Sequence, residues 1–234
     1  MNKIKLLNFL NIFKLNLVEA YALKKAIKDL SPYIHGKCLD VGCGSKPYEA
    51  LFKNCDEYIG IEVSTDIALS SFKPDFFYDG KEFPFESNSF DSVVSFEVLE
   101  HVKDPDIYIS EIFRALKPDG LLMLTVPFSW IEHEKPFDYR RFTQKGIENF
   151  LLLRGFEIKF SKKTTGGIYA SLINFILILR LKLRRYISYL SDILLIPLTL
   201  ILNVIGFFEL FFNLDDESYT STIVLARVKK LSEE

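Results

Sequence analysis

Leu39-Asp40-Val41-Gly42-Cys43-Gly44-Ser45 sets a GxG turn directly behind a short apolar run, residues 37–41. Glycine tolerates backbone conformations closed to other residues, so this turn lets the main chain pass close to a ligand. At the carboxyl end of a parallel strand, such a turn lies where α/β proteins bind their ligands. The runs at 58–62, 76–79, 92–96 and 121–126 repeat the pattern. They are rich in Val, Ile, Leu and Phe, as strands buried on both faces require. Between them lie helical or turn-rich stretches at 47–54, 65–72 and 106–116. In the last, Ile107, Ile109, Ile112, Phe113 and Leu116 fall along a helix. Lys117-Pro118-Asp119-Gly120 stops it, because proline cannot continue a helix and glycine supplies a turn. Thr143 caps a further helix reaching about Arg154, Gly155 ends it, and 156–160 and 219–228 are two more strands. Strands alternating with helices imply right-handed βαβ units and a parallel, doubly wound sheet covered on both faces.

The turn does not read as a dinucleotide-phosphate loop. The third glycine of GxGxxG would fall at position 47, which is Pro47. Asp40, two residues before Gly42, would face a pyrophosphate at like-charge cost. A carboxylate there suits a cofactor with a positive end. S-adenosylmethionine carries an α-ammonium and a sulfonium and no phosphate.

Four segments carry a resemblance: LDVGCGSKPYE at 39–49, YIGIE at 58–62, FDSVVSFEVLEHV at 90–102 and LKPDGLLMLTVP at 116–127. In this order the chain resembles the class I S-adenosylmethionine-dependent methyltransferases of small molecules that carry a LEHV signature. The resemblance covers residues 33–160 and the last strand. It implies an α/β, Rossmann-like doubly wound sheet of seven strands whose last strand is antiparallel. It also implies S-adenosyl-L-methionine as cofactor, with Asp40, Gly42 and Gly44 forming the first loop. Glu62 then accepts both ribose hydroxyls, Asp79 bonds the adenine amino group, and Phe83 or Phe85 stacks near the adenine. Phe96-Glu97-Val98-Leu99-Glu100-His101 lines the methionine moiety and the place of methyl transfer. Plainer readings stand beside these. Glu62 can be a solvated strand end, Asp79 can open an ordinary Asp-Gly turn, and Phe85 can be core. Glu97 and Glu100 can be acids favoured at a helix N-terminus.

The acceptor side falls to the loop after the fifth strand, Pro127-Phe128-Ser129-Trp130-Ile131-Glu132-His133-Glu134-Lys135-Pro136-Phe137-Asp138-Tyr139-Arg140-Arg141-Phe142-Thr143. Methyl transfer from a sulfonium is an in-line substitution, so the protein chiefly positions the acceptor. An alcohol acceptor also needs a base. His133 and His101 are the candidates, since imidazole titrates near neutrality; the alternative for each is a simple hydrogen-bonding role. Trp130, Tyr139 and Arg141 are the candidate acceptor-binding residues, although Asp138 can equally pair with Arg141 to brace the loop. The HE-x-P-x-D-Y-R-R-F-T string resembles a subgroup of these enzymes found beside bacterial surface-glycan genes. No Asn/Asp-Pro-Pro-Tyr follows the fourth strand and no catalytic cysteine pattern is present, which argues against nucleobase methylation. A metal-dependent catechol-type mechanism needs a carboxylate cluster that the sequence does not offer, and no metal ligands are assigned. The expected activity is methyl transfer to a small or lipid-linked acceptor, at a hydroxyl of a glycan or related precursor. The alternatives are a quinone or isoprenoid-precursor methyltransferase and a cofactor-binding module without turnover.

Composition agrees with a folded protein. Of 234 residues, 49% are hydrophobic, which excludes a disordered chain. A net charge of −2 opposes a nucleic-acid partner. Cys38, Cys43 and Cys55 form no CxxC pair, which fits a reducing compartment. Residues 1–30 read as an amphipathic leading helix rather than a cleaved signal, with Leu6, Leu10, Phe13, Leu17, Ala20 and Tyr21 as its stripe. Residues 31–165 form the methyltransferase core, 166–214 a hydrophobic helical insertion, and 215–234 the last strand and tail. The uncharged run 193–208 is short of the roughly 20 residues that span a bilayer. In the implied topology the insertion leaves and returns on one side, so it crosses a membrane twice or not at all. The expectation is none. A pair of helices at 168–212 rests on the cytoplasmic face of the membrane, with Arg180, Lys182, Arg184 and Arg185 meeting anionic headgroups. The alternative is packing on the domain itself or on a second copy, giving a homodimer.

Overall fold

The computed structural model describes residues 14–188, 190–212 and 217–229. Among these, seven strands form one sheet: β1 (Gly36–Val41), β2 (Cys55–Val63), β3 (Phe76–Tyr78), β4 (Phe90–Phe96), β5 (Leu116–Pro127), β6 (Phe156–Lys163) and β7 (Ser221–Val228). Their order is β3-β2-β1-β4-β5-β7-β6. The β1, β2, β3, β4 and β5 neighbours pair in parallel. β7 is antiparallel to β6: Lys229 N–H donates to Gly155 O at one end and Thr164 N–H to Ser221 O at the other. This is the Rossmann-like methyltransferase fold. Strand order reverses between β1 and β4, and their carboxyl ends flank the crevice where such sheets bind ligands.

The helices are α1 (Leu17–Leu30), α2 (Asp66–Ser71), α3 (Pro105–Ala115), α4 (Gln144–Leu152), α5 (Gly167–Ile187), α6 (Leu190–Leu194) and α7 (Ile196–Phe212). The chain divides into two compact units. A sheet unit takes Ala26–Pro127, His133–Lys162 and the chain from Thr222. A helical unit takes the chain through Lys25, Phe128–Glu132 and Lys163–Ser221.

In the sheet unit, Leu39, Val41, Ile61, Val93, Leu122 and Val224 bury the strands against Ile109 and Ile112 of α3 and Ile147 and Leu151 of α4. The Asp104 carboxylate accepts the Asp106 and Ile107 N–H groups and starts α3, as a side-chain cap does. Thr143 caps α4 through the Gly146 N–H. Residues 47–54 form only a 3₁₀ turn, Glu49–Leu51, because Lys46 sits at positive φ before Pro47 and β2 already begins at Cys55. Ile107 is exposed on α3, and Tyr108 is buried in the core.

In α1 the buried positions are Val18, Ala22, Leu23, Ile27 and Leu30, so the stripe is displaced from Leu17, Ala20 and Tyr21. Leu6, Leu10 and Phe13 lie outside the described residues. The insertion folds as three helices rather than two. Within the helical unit, Tyr169, Ile173, Ile176, Val18 and Leu202 make the apolar core. α7 is turned inside out. Thr199, Asn203, Gly206 and Glu209 face inward, while Ile201, Val204, Phe208 and Phe211 are exposed. Gly206 lies so close to Tyr169 that an added Cβ would approach its ring to 2.5 Å. Glu209 caps the start of α5, its carboxylate accepting the Ile168 N–H at 2.8 Å and the Tyr169 N–H at 3.0 Å. These are first-turn donors of α5, whose own N-cap, Gly166, has no side chain to offer. Among the described residues no helix is long and apolar enough to cross a membrane.

Glu209→Ala leaves the buried Tyr169 N–H and the part-buried Ile168 N–H unanswered and is expected to cost about 1–3 kcal/mol, chiefly for the buried donor. Urea unfolding monitored by circular dichroism measures this, and an unchanged midpoint would refute the capping role.

Candidate functional site

The turn after β1 is held by the strand beside it. Ile61 O accepts both the Gly42 N–H (2.9 Å) and the Cys43 N–H (3.1 Å). The Glu62 carboxylate accepts the Gly44 N–H at 2.8 Å. Gly42 has φ +74, and a Cβ there would lie 2.5 Å from Val98 Cγ2. Glycine is thus required twice, for the left-handed backbone and for the close approach of the turn after β4. Lys46 and Asp75 pair across the same loop, and the Asp75 carboxylate also accepts the Gly60 N–H at 2.7 Å.

Asp40 is 3% exposed, and its carboxylate accepts the Tyr58 hydroxyl at 2.6 Å. Burial pushes its pKa up to about 7; the Tyr58 hydrogen bond opposes the shift and the Glu62 charge adds to it. The residue is therefore half-charged near neutrality, and a bound cation completes its ionisation. Tyr58 in turn stacks on Phe52 and Phe52 on Phe96, and Tyr48 meets Phe96 edge to face.

The second wall is the turn after β4. Glu97 adopts φ +54, and its N–H bonds the Thr125 hydroxyl at 3.0 Å. Glu100 is completely buried, and neither carboxylate oxygen has a hydrogen-bond partner. Burial, then the neighbouring Glu97 charge, raises its pKa far above the ordinary carboxylate range. His101 Nε2 lies 3.6 Å from Glu100 Oε1, and its Nδ1 lies 3.0 Å from Phe137 O. The segment carrying His133 is stitched to this turn. Tyr139 N–H donates to Glu100 O at 2.9 Å, and Arg140 donates to the carbonyls of Leu99, Val102 and Lys103. The His101 and His133 rings sit edge to face, with centroids 4.8 Å apart.

The structure thus brings Asp40, Gly42, Gly44 and Glu62 together on β1 and β2, and His101 and His133 together beyond β4. Asp79 Oδ1 accepts the Lys81 and Glu82 N–H groups of its own turn. Phe83 and Phe85 both pack in the core. Arg141 is held bidentately by Asp138, which keeps the Asp138 carboxyl well below its usual range. Tyr139 is exposed, and Trp130 packs against the helical unit's apolar core. The sequence gives Arg140 no role of its own beyond its place in the acceptor-side loop, whereas Glu100 belongs to the stretch that the resemblance sets at the place of methyl transfer, with a helix-start acid as its plainer reading.

Comparison with known proteins places the chain. The methyltransferase domain family matches residues 17–157, and the chain belongs to that family. It is 33% identical over 84 residues to a probable S-adenosylmethionine-dependent methyltransferase of Mycolicibacterium smegmatis, covering 33% of each chain. It is 27% identical over 120 residues to the ubiquinone biosynthesis O-methyltransferase of Pelagibacter ubique, covering 47% of this chain and 49% of that one. The matched stretch thus spans a third to a half of these relatives' own length. Among solved structures, the [4+2]-cyclase SpnF shares the fold at TM-score 0.57 and 20% identity, over 87% of this chain and 81% of that one. Residues 17–157 are thus a methyltransferase domain of the class I S-adenosylmethionine-dependent kind. The residues present fit the cofactor: a cradle that a Cβ at Gly42 would fill and a buried carboxylate suited to a cation.

Cofactor affinity should follow Asp40. The free protein protonates this group below about pH 7, and the cation binds its ionised form, so affinity rises with pH up to that point and then levels. Calorimetric titration at pH 5.5–7 should show the dissociation constant falling by up to about tenfold per unit, a slope that Asp40→Asn abolishes. Gly42→Ala should weaken binding by more than about tenfold, about 1.4 kcal/mol, through the clash with Val98.

Proposed function

We propose that the protein moves a methyl group to a hydroxyl of a small or lipid-linked acceptor, such as a glycan or quinone precursor, and works against a membrane surface. The observation that carries the hydroxyl assignment is the pairing of His101 and His133 beyond β4, with ring centroids 4.8 Å apart. A hydroxyl must shed its proton as the new bond forms, and imidazole is the side chain suited to receive it near neutrality. Asp40 and Glu62 hold the cofactor, which supplies a methyl group already activated on a sulfonium. The acceptor oxygen forms the new carbon–oxygen bond as the carbon–sulfur bond breaks, the electron pair stays on sulfur, and the proton leaves to the histidine pair. Arg140 and Tyr139 act through the backbone of the β4 turn and fix where the histidines stand. Similarity to a ubiquinone biosynthesis O-methyltransferase supports the same chemistry.

Membrane contact is supported by the inverted α7. Phe211 is 82% exposed, and Ile201, Val204, Phe208 and Phe211 recur at helical spacing on the open face. Exposed apolar surface of this kind marks an interaction site. On the neighbouring helix, Lys182 and Arg185 are exposed, and Arg180 and Arg184 pair with Asp192. Basic residues beside an apolar face suit an anionic headgroup layer. A second copy of the chain on this face, giving a homodimer, is the competing occupant.

Two measurements bear on this reading. Transfer of labelled methyl to extracted glycolipids, polysaccharides and quinone precursors should be lost in Asp40→Ala, and label appearing only on amines would reject the hydroxyl assignment. In flotation, the protein should rise with anionic vesicles, and Phe208→Ser/Phe211→Ser should stay behind. Equal recovery of both proteins in the lower fraction, with a dimer in sedimentation, would favour the second copy.

A further inference from the structure

We propose that Glu100, His101 and His133 form a binding site for a divalent transition-metal ion at the carboxyl end of β4. The sequence by itself assigns no ligand set, because 31 residues stand between His101 and His133 and no familiar spacing links them. The fold brings one ligand atom from each of the three within 4.8 Å of the others. Two further features single out this cluster. Glu100 is 0% exposed, and neither carboxylate oxygen accepts a hydrogen bond. A buried carboxylate without hydrogen bonds is costly unless a cation answers it. Both imidazoles are also already oriented by their other nitrogens. His101 Nδ1 lies 3.0 Å from the Phe137 carbonyl, which fixes the proton there and leaves Nε2 as a lone-pair donor 3.6 Å from Glu100 Oε1. His133 Nδ1 lies 3.2 Å from Asp138 Oδ2, and Arg141 in turn clamps Asp138. A histidine backed by a carboxylate or carbonyl is the arrangement by which proteins set a metal ligand's tautomer and direction. Glu134 Oε2, 3.7 Å from His101 Nε2 and largely exposed, stands within reach as a further oxygen donor.

Two imidazoles and one carboxylate select zinc, manganese, iron(II) or cobalt over magnesium or calcium, which prefer oxygen donors throughout. Three protein ligands leave coordination positions open for a substrate oxygen. The catalytic role rests on the hydroxyl-acceptor reading above and replaces only its histidine base: with an ion bound, both imidazoles would be ligands, the ion would lower the pKa of the acceptor oxygen, and the proton would pass to water.

The test uses tag-free, chelator-treated full-length protein titrated with Co²⁺ and followed by visible absorption. A single equivalent should produce d–d bands that Zn²⁺ removes. His101→Ala and His133→Ala should each weaken Co²⁺ binding by at least about tenfold, and His35→Ala, at the remaining histidine, should not. Calorimetry with S-adenosylmethionine on the same samples reports the fold and keeps the two readings apart. Cofactor binding without cobalt bands in the wild type overturns the metal site and leaves the methyltransferase assignment untouched. Bands undiminished in both histidine variants, or in the isosteric Glu100→Gln, also overturn it. Methyl transfer that survives chelation while Co²⁺ still binds overturns the catalytic role alone.

Discussion

At Gly42 the end of β1 meets the turn after β4 with no room for a side chain. Its left-handed φ of +74 turns the chain back, and Val98 occupies the space a Cβ would take. That contact ties the cofactor loop to the segment carrying Glu97, Glu100 and His101. A parallel sheet with a strand-order reversal between β1 and β4 supplies the crevice. The glycine lets the two walls of that crevice stand close together. Glu62, bonded to the Gly44 N–H, and Ile61 O, accepting from Gly42 and Cys43, hold the loop in that conformation from β2.

Charge at the site is arranged by burial more than by pairing. Asp40 and Glu100 both sit where water is excluded, and both are driven toward the neutral form by that exclusion. Asp138 shows the opposite case: a bidentate arginine keeps it ionised, and it becomes a fixed negative brace behind His133. One carboxylate type thus takes two states, one set by burial and one by a bidentate arginine. The Arg140 guanidinium, bonded to three carbonyls of the β4 turn, contributes geometry rather than charge to the reacting atoms.

The helical unit obeys a different rule. Its α7 hides threonine, asparagine, glycine and glutamate while showing isoleucine, valine and phenylalanine. A helix in water would be built the other way round. Inward polarity is used for cohesion: Glu209 caps α5, and the Asn203 amide donates to Lys14 O at 3.2 Å. Outward apolarity is left for the non-aqueous contact proposed for this face.

Fold class and the conformation of the GxG turn were legible because each depends on short-range pattern: apolar runs at strand length, a pair of glycines, and an acid ending β2. The switch from Ile107 to Tyr108 as a buried residue of α3, and the shift of the α1 stripe, escaped because an apolar residue's face is fixed by what it packs on. The inversion of α7 was hidden for a related reason: Thr199, Asn203, Gly206 and Glu209 recur at helical spacing, but a polar stripe ordinarily reads as the face turned to water. Glu100, His101 and His133 were each singled out residue by residue, Glu100 with a helix-start acid as its plainer reading, but not as neighbours of one another. Only folding could strip Glu100 of hydrogen bonds and set His133 beside it, because the distance between groups so far apart along the chain is decided by Tyr139, Arg140 and the β4 backbone they grip. Local conformation is encoded by neighbours in sequence; the meeting of distant groups, and the solvent each is denied, belong to the tertiary structure.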